Sequence, residues 1–352
     1  MAGRRNRIFR AALDALYFSG AHAALRPVLG GVGVILTLHH VRPPRPDRFQ
    51  PNRLLEVTPE FFEQVIRRLR QSGIDMVPLD EMHRRLAERD FSRRFVCITF
   101  DDGYRDTLKF AYPILKKYRV PFAVYVATGF ADRVGEMWWL ALEAVIARNA
   151  LVGIRMDGRD IWFECDGVRE KRLLFDQIYW WLRRRETEEE LRKSVRELAA
   201  RYRVDIAAFC QELCMSWQEI AGLAADPLVT IGAHTVNHYI LAKVSEASVH
   251  AELANSRSVI EAALGSAPKH LAYPVGDRTS AGPREFRIAA ELGYKTAVTT
   301  RPGVLFPQHS SHLLALPRVS LNGEFQQPRY ARVLMSGAAT GLWNGFRRVN
   351  VA

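Results

Sequence analysis

The sequence has few cysteines and no long hydrophobic run, and each absence excludes a class of protein. Only 4 of the 352 residues are cysteines, and no two of them form a CxxC pair. Cys97 lies in the apolar run at residues 95–98, where we expect a reduced and buried thiol, so the cysteines call for no oxidising compartment. No run of about 18 apolar residues occurs, and we therefore expect no transmembrane helix.

The amino-terminal segment lacks the continuous apolar core of a signal peptide. A weakly apolar stretch follows several arginines, and Asp14, His22, Arg26 and Pro27 interrupt it. This pattern predicts a cytoplasmic protein. The chain also lacks the composition of a disordered tail, because 48% of its residues are hydrophobic and 25% are charged. Its length suits one large α/β barrel or two ordinary domains.

Acidic residues are outnumbered in this chain, since 50 Lys and Arg residues stand against 38 Asp and Glu residues and give a formal net charge of +12. Such a charge suits an anionic membrane face, a nucleic acid or an acidic glycan. Neither a basic stripe with interleaved aromatic residues nor a recognised nucleic-acid-binding motif is present. We therefore expect no nucleic-acid partner.

Residues 1–29 have the pattern of a basic amphipathic helix. Its apolar stripe follows four arginines and consists of Ile8, Phe9, Ala12, Leu13, Leu16 and Tyr17. Two interpretations remain open. The helix packs against the body of the fold, or it lies on an anionic membrane surface as a peripheral contact.

Short apolar runs alternate with helical patterns along most of the chain. The predicted strands are residues 34–38, 74–77, 95–100, 122–127, 229–233, 271–273, 296–299 and 314–319. Continuous apolar strands separated by helices indicate a parallel sheet that is covered on both faces, and seven or eight of them favour closure. We predict an α/β fold, a (β/α) barrel of about seven parallel strands, with its active site at the carboxyl ends of the strands.

The barrel pattern is interrupted once. Residues 30–131 and 217–335 form the predicted barrel, residues 132–216 form an α-helical insertion, and residues 336–352 form a carboxyl-terminal tail. The charge run at residues 183–190 is predicted to be a solvated helix face. Trp138 follows a strand-end loop, where it either belongs to the core or stacks on a sugar.

The strongest chemical signal is the combination of two short motifs at strand ends. Asp101 and Asp102 directly follow an apolar strand, and burying two unpaired carboxylates is so costly that a cation site would explain them. His234 and His238 are four residues apart, as on one face of a helical turn, so both imidazoles can reach one metal. One carboxylate would complete the ligand set, and the other would be placed to accept a proton from water.

With these motifs the chain resembles the polysaccharide deacetylases, also called the NodB-homology family or carbohydrate esterase family four. Their first motif, TFDDG, is present at residues 99–103, and their second, H-[ST]-x-x-H, is present at residues 234–238. The resemblance implies a distorted (β/α) barrel that removes acetyl groups from a glycan. It also implies that Asp101 is the general base, and that Asp102, His234 and His238 hold a divalent metal, usually zinc.

Two departures from the family pattern affect the expected site. The third motif, which resembles RPPYG, reads Ala272-Tyr273-Pro274-Val275-Gly276 here and lacks both the arginine and the tyrosine side chain. The backbone N–H of Val275 can still supply the family's oxyanion donor, because a main-chain group survives a change of side chain. Arg278 or Arg318 would have to replace the missing arginine.

The family's last motif, LxH, is absent from the carboxyl-terminal strand. Residues 36–39 read LTLH instead, so the chain resembles the circularly permuted subgroup that includes poly-N-acetylglucosamine deacetylases. Permutation is tolerated in a barrel because the first and last strands are neighbours. By this resemblance His39 is the general acid, with His40 as the alternative.

The predicted activity is metal-dependent removal of acetyl groups from N-acetylglucosamine-containing oligosaccharides or polysaccharides. The substrate is either a chitooligosaccharide or an envelope or exported glycan, and Tyr273, Tyr104 and Trp138 are predicted to line its site. A cytoplasmic enzyme would act at the inner face of the membrane on lipid-linked or newly made glycan. Two alternatives stay open, a carbohydrate-binding pseudoenzyme and an amidase that acts on a small non-sugar amide.

Overall fold

The computed structural model describes residues 2–351, and within them the chain folds as a closed parallel barrel surrounded by helices. The strands of this part are β1 (Gly33–Leu38), β2 (His40–Val41), β3 (Glu56–Val57), β4 (Asp75–Met76), β5 (Phe95–Phe100), β6 (Phe122–Val126), β7 (Leu151–Met156), β8 (Arg159–Glu164), β9 (Val229–Ala233), β10 (His270–Ala272), β11 (Thr296–Pro302) and β12 (Leu316–Ser320). The α-helices of the amino-terminal half are α1 (Ala2–Phe18), α2 (Ala21–Ala24), α3 (Arg26–Leu29), α4 (Pro59–Gln71), α5 (Leu79–Ala87), α6 (Tyr112–Lys117), α7 (Thr128–Ala131), α8 (Trp138–Arg148) and α9 (Val168–Arg183). Those that follow are α10 (Glu188–Arg201), α11 (Ile206–Leu213), α12 (Trp217–Ala224), α13 (Glu246–Leu264), α14 (Pro283–Glu291), α15 (Pro328–Met335) and α16 (Ala338–Trp343).

Seven strands close the barrel in the order β1-β12-β11-β10-β9-β6-β5, and β5 pairs with β1 to complete the circle. All of these pairings are parallel. The predicted strand at residues 74–77 forms β4, which pairs with β5 outside the closed ring. The predicted (β/α) barrel is confirmed, and the first and last strands are neighbours as a permuted chain requires.

The barrel strands form where the sequence is continuously apolar. Every residue of β1 and β5 is buried, as expected for strands that have the barrel interior on one side and helices on the other. Helix α4 begins after Thr58, whose side chain accepts the Phe61 N–H, and Pro59 occupies its first turn. Phe62 and Ile66 of α4 then pack against the strands in the main core.

The segment predicted as an α-helical insertion holds helices α8 to α11 and also a two-stranded antiparallel sheet, β7–β8. The helical prediction missed this hairpin, although its turn at Asp157-Gly158 is a typical hairpin signal with both residues at positive φ. The segment has its own apolar core, in which Leu142 and Ile178 are fully buried. The charge run at residues 183–190 is not one solvated helix face. It spans the end of α9 and the start of α10, and Glu188 is buried there.

Helix α1 packs one of its faces against the barrel. Leu13 is buried in the main core, and Asp14 accepts hydrogen bonds from Arg329 and Tyr330 of α15 at 2.7 and 3.0 Å. Ile8 points outward and is 63% exposed. The first interpretation of this helix, packing against the body of the fold, therefore holds for its inner face.

All four cysteines are buried and none is disulfide-bonded, and burial raises the pKa of the Cys97 thiol above its usual value. Among residues 2–351, none of the helices combines the length and the apolar character needed to cross a bilayer.

Candidate metal centre and active site

The residues of the two motifs meet at the carboxyl ends of neighbouring strands. Asp101 and Asp102 follow β5, His39 follows β1, and His234 follows β9. Parallel strands bring these ends to one rim of the barrel, where active sites of such barrels are built. His39 and Asp101 are 62 positions apart, and Asp101 and His234 are 133 apart, but all share this rim because β1, β5, β6 and β9 are consecutive in the barrel.

Asp102, His234 and His238 form a compact and buried cluster. The Nε2 atoms of both histidines lie 3.3 Å from Asp102 Oδ1, and one ligand atom from each residue lies within 4.8 Å of the others. His234 Nδ1 donates to the Ala272 carbonyl oxygen at 2.7 Å, which leaves the Nε2 lone pair directed at Asp102. All three side chains are at most 7% exposed.

This cluster has the donor set of a divalent metal site. Two imidazole nitrogens and one carboxylate oxygen suit zinc and leave further positions for water or substrate. Asp102 Oδ1 is buried and, among the described residues, has no hydrogen-bond partner. Burial opposes ionisation of Asp102, but the facing imidazoles of His234 and His238 outweigh it and hold the pKa of its carboxyl well below the usual value, so the carboxylate is ready to act as a ligand. The residues present therefore fit a metal ion.

The segment that carries both histidines is a loop, so the predicted helical turn is wrong. Thr235 and His238 have φ angles of 65° and 56°, in the left-handed region that non-glycine residues rarely adopt. The spacing of four residues still brings the rings together, with their centroids 4.9 Å apart. The two positive φ angles turn the chain sharply, and the loop needs support from neighbouring elements.

Two buried charged residues supply that support. Glu252 of α13 accepts hydrogen bonds from the N–H groups of Val236 and Asn237 at 2.9 and 2.8 Å. Arg192 of α10 donates to the carbonyl oxygens of Asn237 and His238 at 3.0 and 3.3 Å. Sequence patterns did not identify Arg192, because it belongs to the segment that lies outside the family motifs.

Arg192 is itself fixed by two carboxylates. Its Nε donates to Glu188 at 2.9 Å and its Nη1 contacts Glu136 at 3.2 Å, while the other Glu188 oxygen accepts the Ile240 N–H. The side chain of Arg192 is 2% exposed. Residues 132–216 thus reach the histidine loop directly and contribute to holding His238 in place.

Asp101 is paired with an arginine from the last barrel strand. Arg318 of β12 donates from Nη1 and Nη2 to the two carboxylate oxygens at 2.7 and 2.6 Å, and both side chains are almost fully buried. Burial opposes ionisation of Asp101, but the charge and hydrogen bonds of Arg318 outweigh it and lower the pKa of the carboxyl. Of the two candidates for the missing third-motif arginine, Arg318 occupies this position. Arg278 contacts Asn350 instead.

His39, rather than His40, faces the carboxylates. His39 Nε2 lies 3.9 Å from Asp101 Oδ2, and its side chain is 21% exposed, so it borders both the buried pair and solvent. Burial lowers the pKa of His39 despite the nearby charges of Asp102 and Asp101. His40 turns away, because its Nδ1 contacts Asp106 at 2.6 Å and its ring stacks on Tyr104.

Val275 has a strained backbone next to this site. Its φ angle is 59°, which is unusual for a β-branched residue, and Gly276 follows with a φ of 64°. Among the described residues, the Val275 N–H donates no hydrogen bond, whereas its carbonyl oxygen accepts from Thr300 at 2.6 Å. The N–H is thus available to an oxygen atom of a ligand.

The side chains predicted to line a sugar site are not on the surface. Tyr104 and Tyr273 are 0% exposed and Trp138 is 2% exposed. Tyr273 donates to the Leu314 carbonyl oxygen, and Trp138 packs on Tyr179. These three assignments are corrected here, since the aromatic side chains fill the core behind the site, where apolar burial stabilises them.

The barrel and the buried histidine and carboxylate cluster at its rim define a β/α-barrel protein with a candidate metal centre. The family profile described as polysaccharide deacetylase matches residues 88–297, more than half of the chain. The chain belongs to this family, and removal of acetyl groups from glycans is accordingly its class of reaction. The match includes Asp101, Asp102, His234 and His238 but neither His39 nor Arg318.

Solved structures of similar fold belong to the same class. The Streptococcus pyogenes deacetylase PplD, determined in complex with acetate, is 20% identical, with a TM-score of 0.57 over 86% of this chain and 97% of that one. IcaB from Ammonifex degensii is also 20% identical, with a TM-score of 0.54 over 86% of this chain and 97% of that one. At this identity the likeness concerns the fold. A search of curated protein sequences found no match.

Proposed function

We propose that this protein is a metal-dependent N-deacetylase of glycans that contain N-acetylglucosamine. One observation carries the proposal: the buried Asp102, His234 and His238 cluster lies beside an Asp101 carboxylate that Arg318 keeps ionised. Family membership supplies the reaction class. The metal, the sugar and the roles of individual residues belong to the proposal.

Asp102, His234 and His238 would hold the metal, and zinc is the ion that we propose for these ligands. When bound, a divalent ion polarises the acetamide carbonyl and lowers the pKa of water beside it. The hydrogen bond from His234 Nδ1 to the Ala272 carbonyl orients that ring, as such outer contacts do at metal sites.

Asp101 accepts the proton of the attacking water in this proposal. Its carboxylate is ionised at neutral pH because Arg318 lowers its pKa, and the bidentate contact fixes its orientation. Proton transfer by a positioned side chain contributes about 10²- to 10⁴-fold to rates. Arg318 acts through Asp101 and is a positioning residue.

His39 and Val275 serve the later steps. The Val275 N–H would donate to the oxyanion that forms when water adds to the carbonyl, and one such donor is worth about 10²- to 10³-fold. His39 then gives a proton to the departing sugar amine. Its side chain borders the Asp101 carboxylate and is 21% exposed, which leaves room for a substrate beside it.

The test is acetate release from a series of N-acetylglucosamine oligomers by the purified full chain. We expect release that is abolished by chelator and restored by zinc or cobalt, and that falls by at least about 10²-fold in Asp101→Asn and His39→Ala. His250→Ala is the matched control, because His250 is an exposed histidine of α13. Metal binding without release from any oligomer would instead favour a carbohydrate-binding role or a small non-sugar amide as substrate.

The identity of the glycan substrate and the cellular location of the enzyme are the most specific parts of the proposal. A chitooligosaccharide and an envelope or exported polysaccharide both present the required acetamide, and comparing oligomers of different length separates them. We also propose that the enzyme acts in the cytoplasm at the inner face of the membrane. The positive charge of the chain and the outward face of α1 support this location.

A further inference from the structure

A groove rich in arginine lies at the end of the barrel opposite the candidate active site. It has a volume of about 1010 Å³ and is reached by residues at the amino ends of β1, β4 and β5, including Gly31, Ile74 and Arg94. The arginines that line it are Arg26, Arg67, Arg68, Arg93, Arg94 and Arg332, and no Asp or Glu of the described residues does so. We call these six residues with His22 the arginine groove.

Most of this positive charge has no acidic partner. In the described part of the chain, Arg26, Arg68 and Arg332 form no salt bridge, whereas Arg93 pairs with Asp75 at 2.9 Å. Arg94 donates only to backbone carbonyl oxygens, at Gly30 and Met335. Clustered guanidinium groups repel one another, so an anion bound in the groove would reduce this electrostatic repulsion.

Two further features suit a groove that binds an anion. Burial and the neighbouring charge of Arg26 lower the pKa of Arg94 to about 10. His22 is 6% exposed and donates from Nδ1 to the Leu16 carbonyl oxygen at 3.1 Å, yet its buried Nε2 has no partner among the described residues. A polar atom buried without a partner is uncommon, and this one belongs to a side chain that lines the groove.

Large apolar side chains are exposed on or next to the short helices that line the groove and on the neighbouring helix α16. Leu25, which lies between the short helices α2 and α3, and Val28 of α3 are 36% and 59% exposed. Helix α16 packs against both helices. Leu342, Trp343 and Phe346 in and after α16 are 52%, 63% and 60% exposed. We call these five residues the apolar rim.

We propose that the arginine groove and the apolar rim dock this protein on an anionic lipid bilayer. The groove would take the phosphate groups of lipids, and the rim would enter the headgroup region. Arginine binds phosphate in bidentate geometry, and exposed apolar side chains surrounded by basic residues are typical of interfacial membrane contacts. A lone cluster of arginines would suit any polyanion, but the apolar rim favours a lipid surface. The inference rests on the proposed membrane location and is independent of the deacetylation chemistry.

Docking at this groove leaves the catalytic rim of the barrel uncovered. Residues of β5 run from the groove side at Phe95 to the site at Asp101, and a strand of this length separates the two by roughly 20 Å. An acetylated glycan would therefore reach the site from the side that faces away from the groove.

The test is co-sedimentation of the purified full chain with vesicles of phosphatidylcholine alone or of phosphatidylcholine with phosphatidylglycerol. We expect binding that requires the anionic lipid. The double variant Arg26→Gln/Arg332→Gln should bind about 30-fold more weakly, since each basic residue near such a surface contributes about a factor of five. Val28→Ser/Leu342→Ser should also weaken binding, although its net charge is unchanged.

The matched control is Arg148→Gln/Arg169→Gln, which removes the same charge from exposed positions in residues 132–216. A control that lost as much binding as the groove variant would overturn the proposal in favour of non-specific charge attraction. Arg26 and Arg332 are exposed and unpaired, so replacing them should leave the thermal midpoint unchanged. An unchanged midpoint establishes that the variant is folded.

Two additional results would contradict the proposal in distinguishable ways. Inorganic phosphate that raises the thermal midpoint of the wild type but not of Arg26→Gln/Arg332→Gln, without any vesicle binding, would identify a free phosphate site. Absence of vesicle binding by a protein that releases acetate from soluble oligomers would overturn docking alone. A protein that neither binds vesicles nor releases acetate would count against docking and also, as a separate result, against the proposed deacetylation.

Discussion

The guanidinium of Arg318 contacts both carboxylate oxygens of Asp101, at 2.7 and 2.6 Å, although the two residues are 217 positions apart. The contact joins the last strand of the barrel to the strand that carries the first family motif. It restores a positive charge that the third motif of this chain lacks. The pair is buried, so neither residue can be changed alone without leaving an unpaired charge.

Arg318→Met should lower the free energy of unfolding by about 3–5 kcal/mol, because it leaves the Asp101 carboxylate buried without a partner. Adding Asp101→Asn to this variant should recover part of the loss, since no unpaired charge then remains. Urea unfolding of both single variants and the double variant measures this coupling. Strictly additive losses would contradict a direct energetic link between the two residues.

Arg192→Met should weaken zinc binding by about 10- to 100-fold, the usual effect of losing a group that supports a metal ligand. Its hydrogen bonds to the Asn237 and His238 carbonyl oxygens hold a loop with strained backbone angles. Titration of the apoprotein with zinc gives the affinity without reference to activity.

The control for this experiment is Arg196→Met, since Arg196 lies on the same helix and also contacts Glu136 but is 45% exposed. Its zinc affinity should remain within about twofold of the wild type. Equal losses in the two variants would point to the segment's overall stability rather than to the contact with the histidine loop.

Val275→Gly should retain acetate release within several-fold of the wild type. The proposed donor is the backbone N–H, which glycine keeps, and glycine adopts the observed φ of 59° without strain. Kinetics on the best oligomer measure the effect. A loss as large as that of Asp101→Asn would mean that the valine side chain itself is needed.

His309 predicts a stability change with pH that is separate from the site. It is fully buried, and burial lowers its pKa from 6.5 to about 4. Between these values the unfolded chain binds a proton that the folded chain does not, so the free energy of unfolding falls as pH drops from 6.5 towards 4 and is unaffected above. The loss should reach about 3 kcal/mol.

Denaturant unfolding across this pH range, for the wild type and His309→Gln, isolates the effect as a difference. The decrease of the free energy of unfolding with falling pH should be smaller in His309→Gln. It should be unchanged in His250→Gln, which replaces an exposed histidine. An identical pH dependence of the free energy of unfolding in all three proteins would show that His309 does not cause the loss of stability below pH 6.5.

The fold and part of the site could be predicted because their signals are local. Apolar runs such as residues 95–100 indicate buried strands wherever they occur, and the motif at residues 99–103 places two aspartates directly after one of them. The hairpin at residues 151–164 had a local signal too, the turn at Asp157-Gly158, which the helical pattern around it obscured. The burial of Trp138 could not be predicted, because a strand-end tryptophan fits both a core and a surface.

Local sequence patterns are enough to predict the barrel and the aspartates and histidines that meet at its rim, because strand ends follow from apolar runs and parallel closure gathers them. No such pattern indicates that Arg318 rather than Arg278 reaches Asp101, or that Arg192 supports the histidine loop. Nor does one indicate that six arginines from four parts of the chain share one groove. These contacts depend on distances between residues far apart in sequence, which the packing of strands and helices sets and no local pattern encodes.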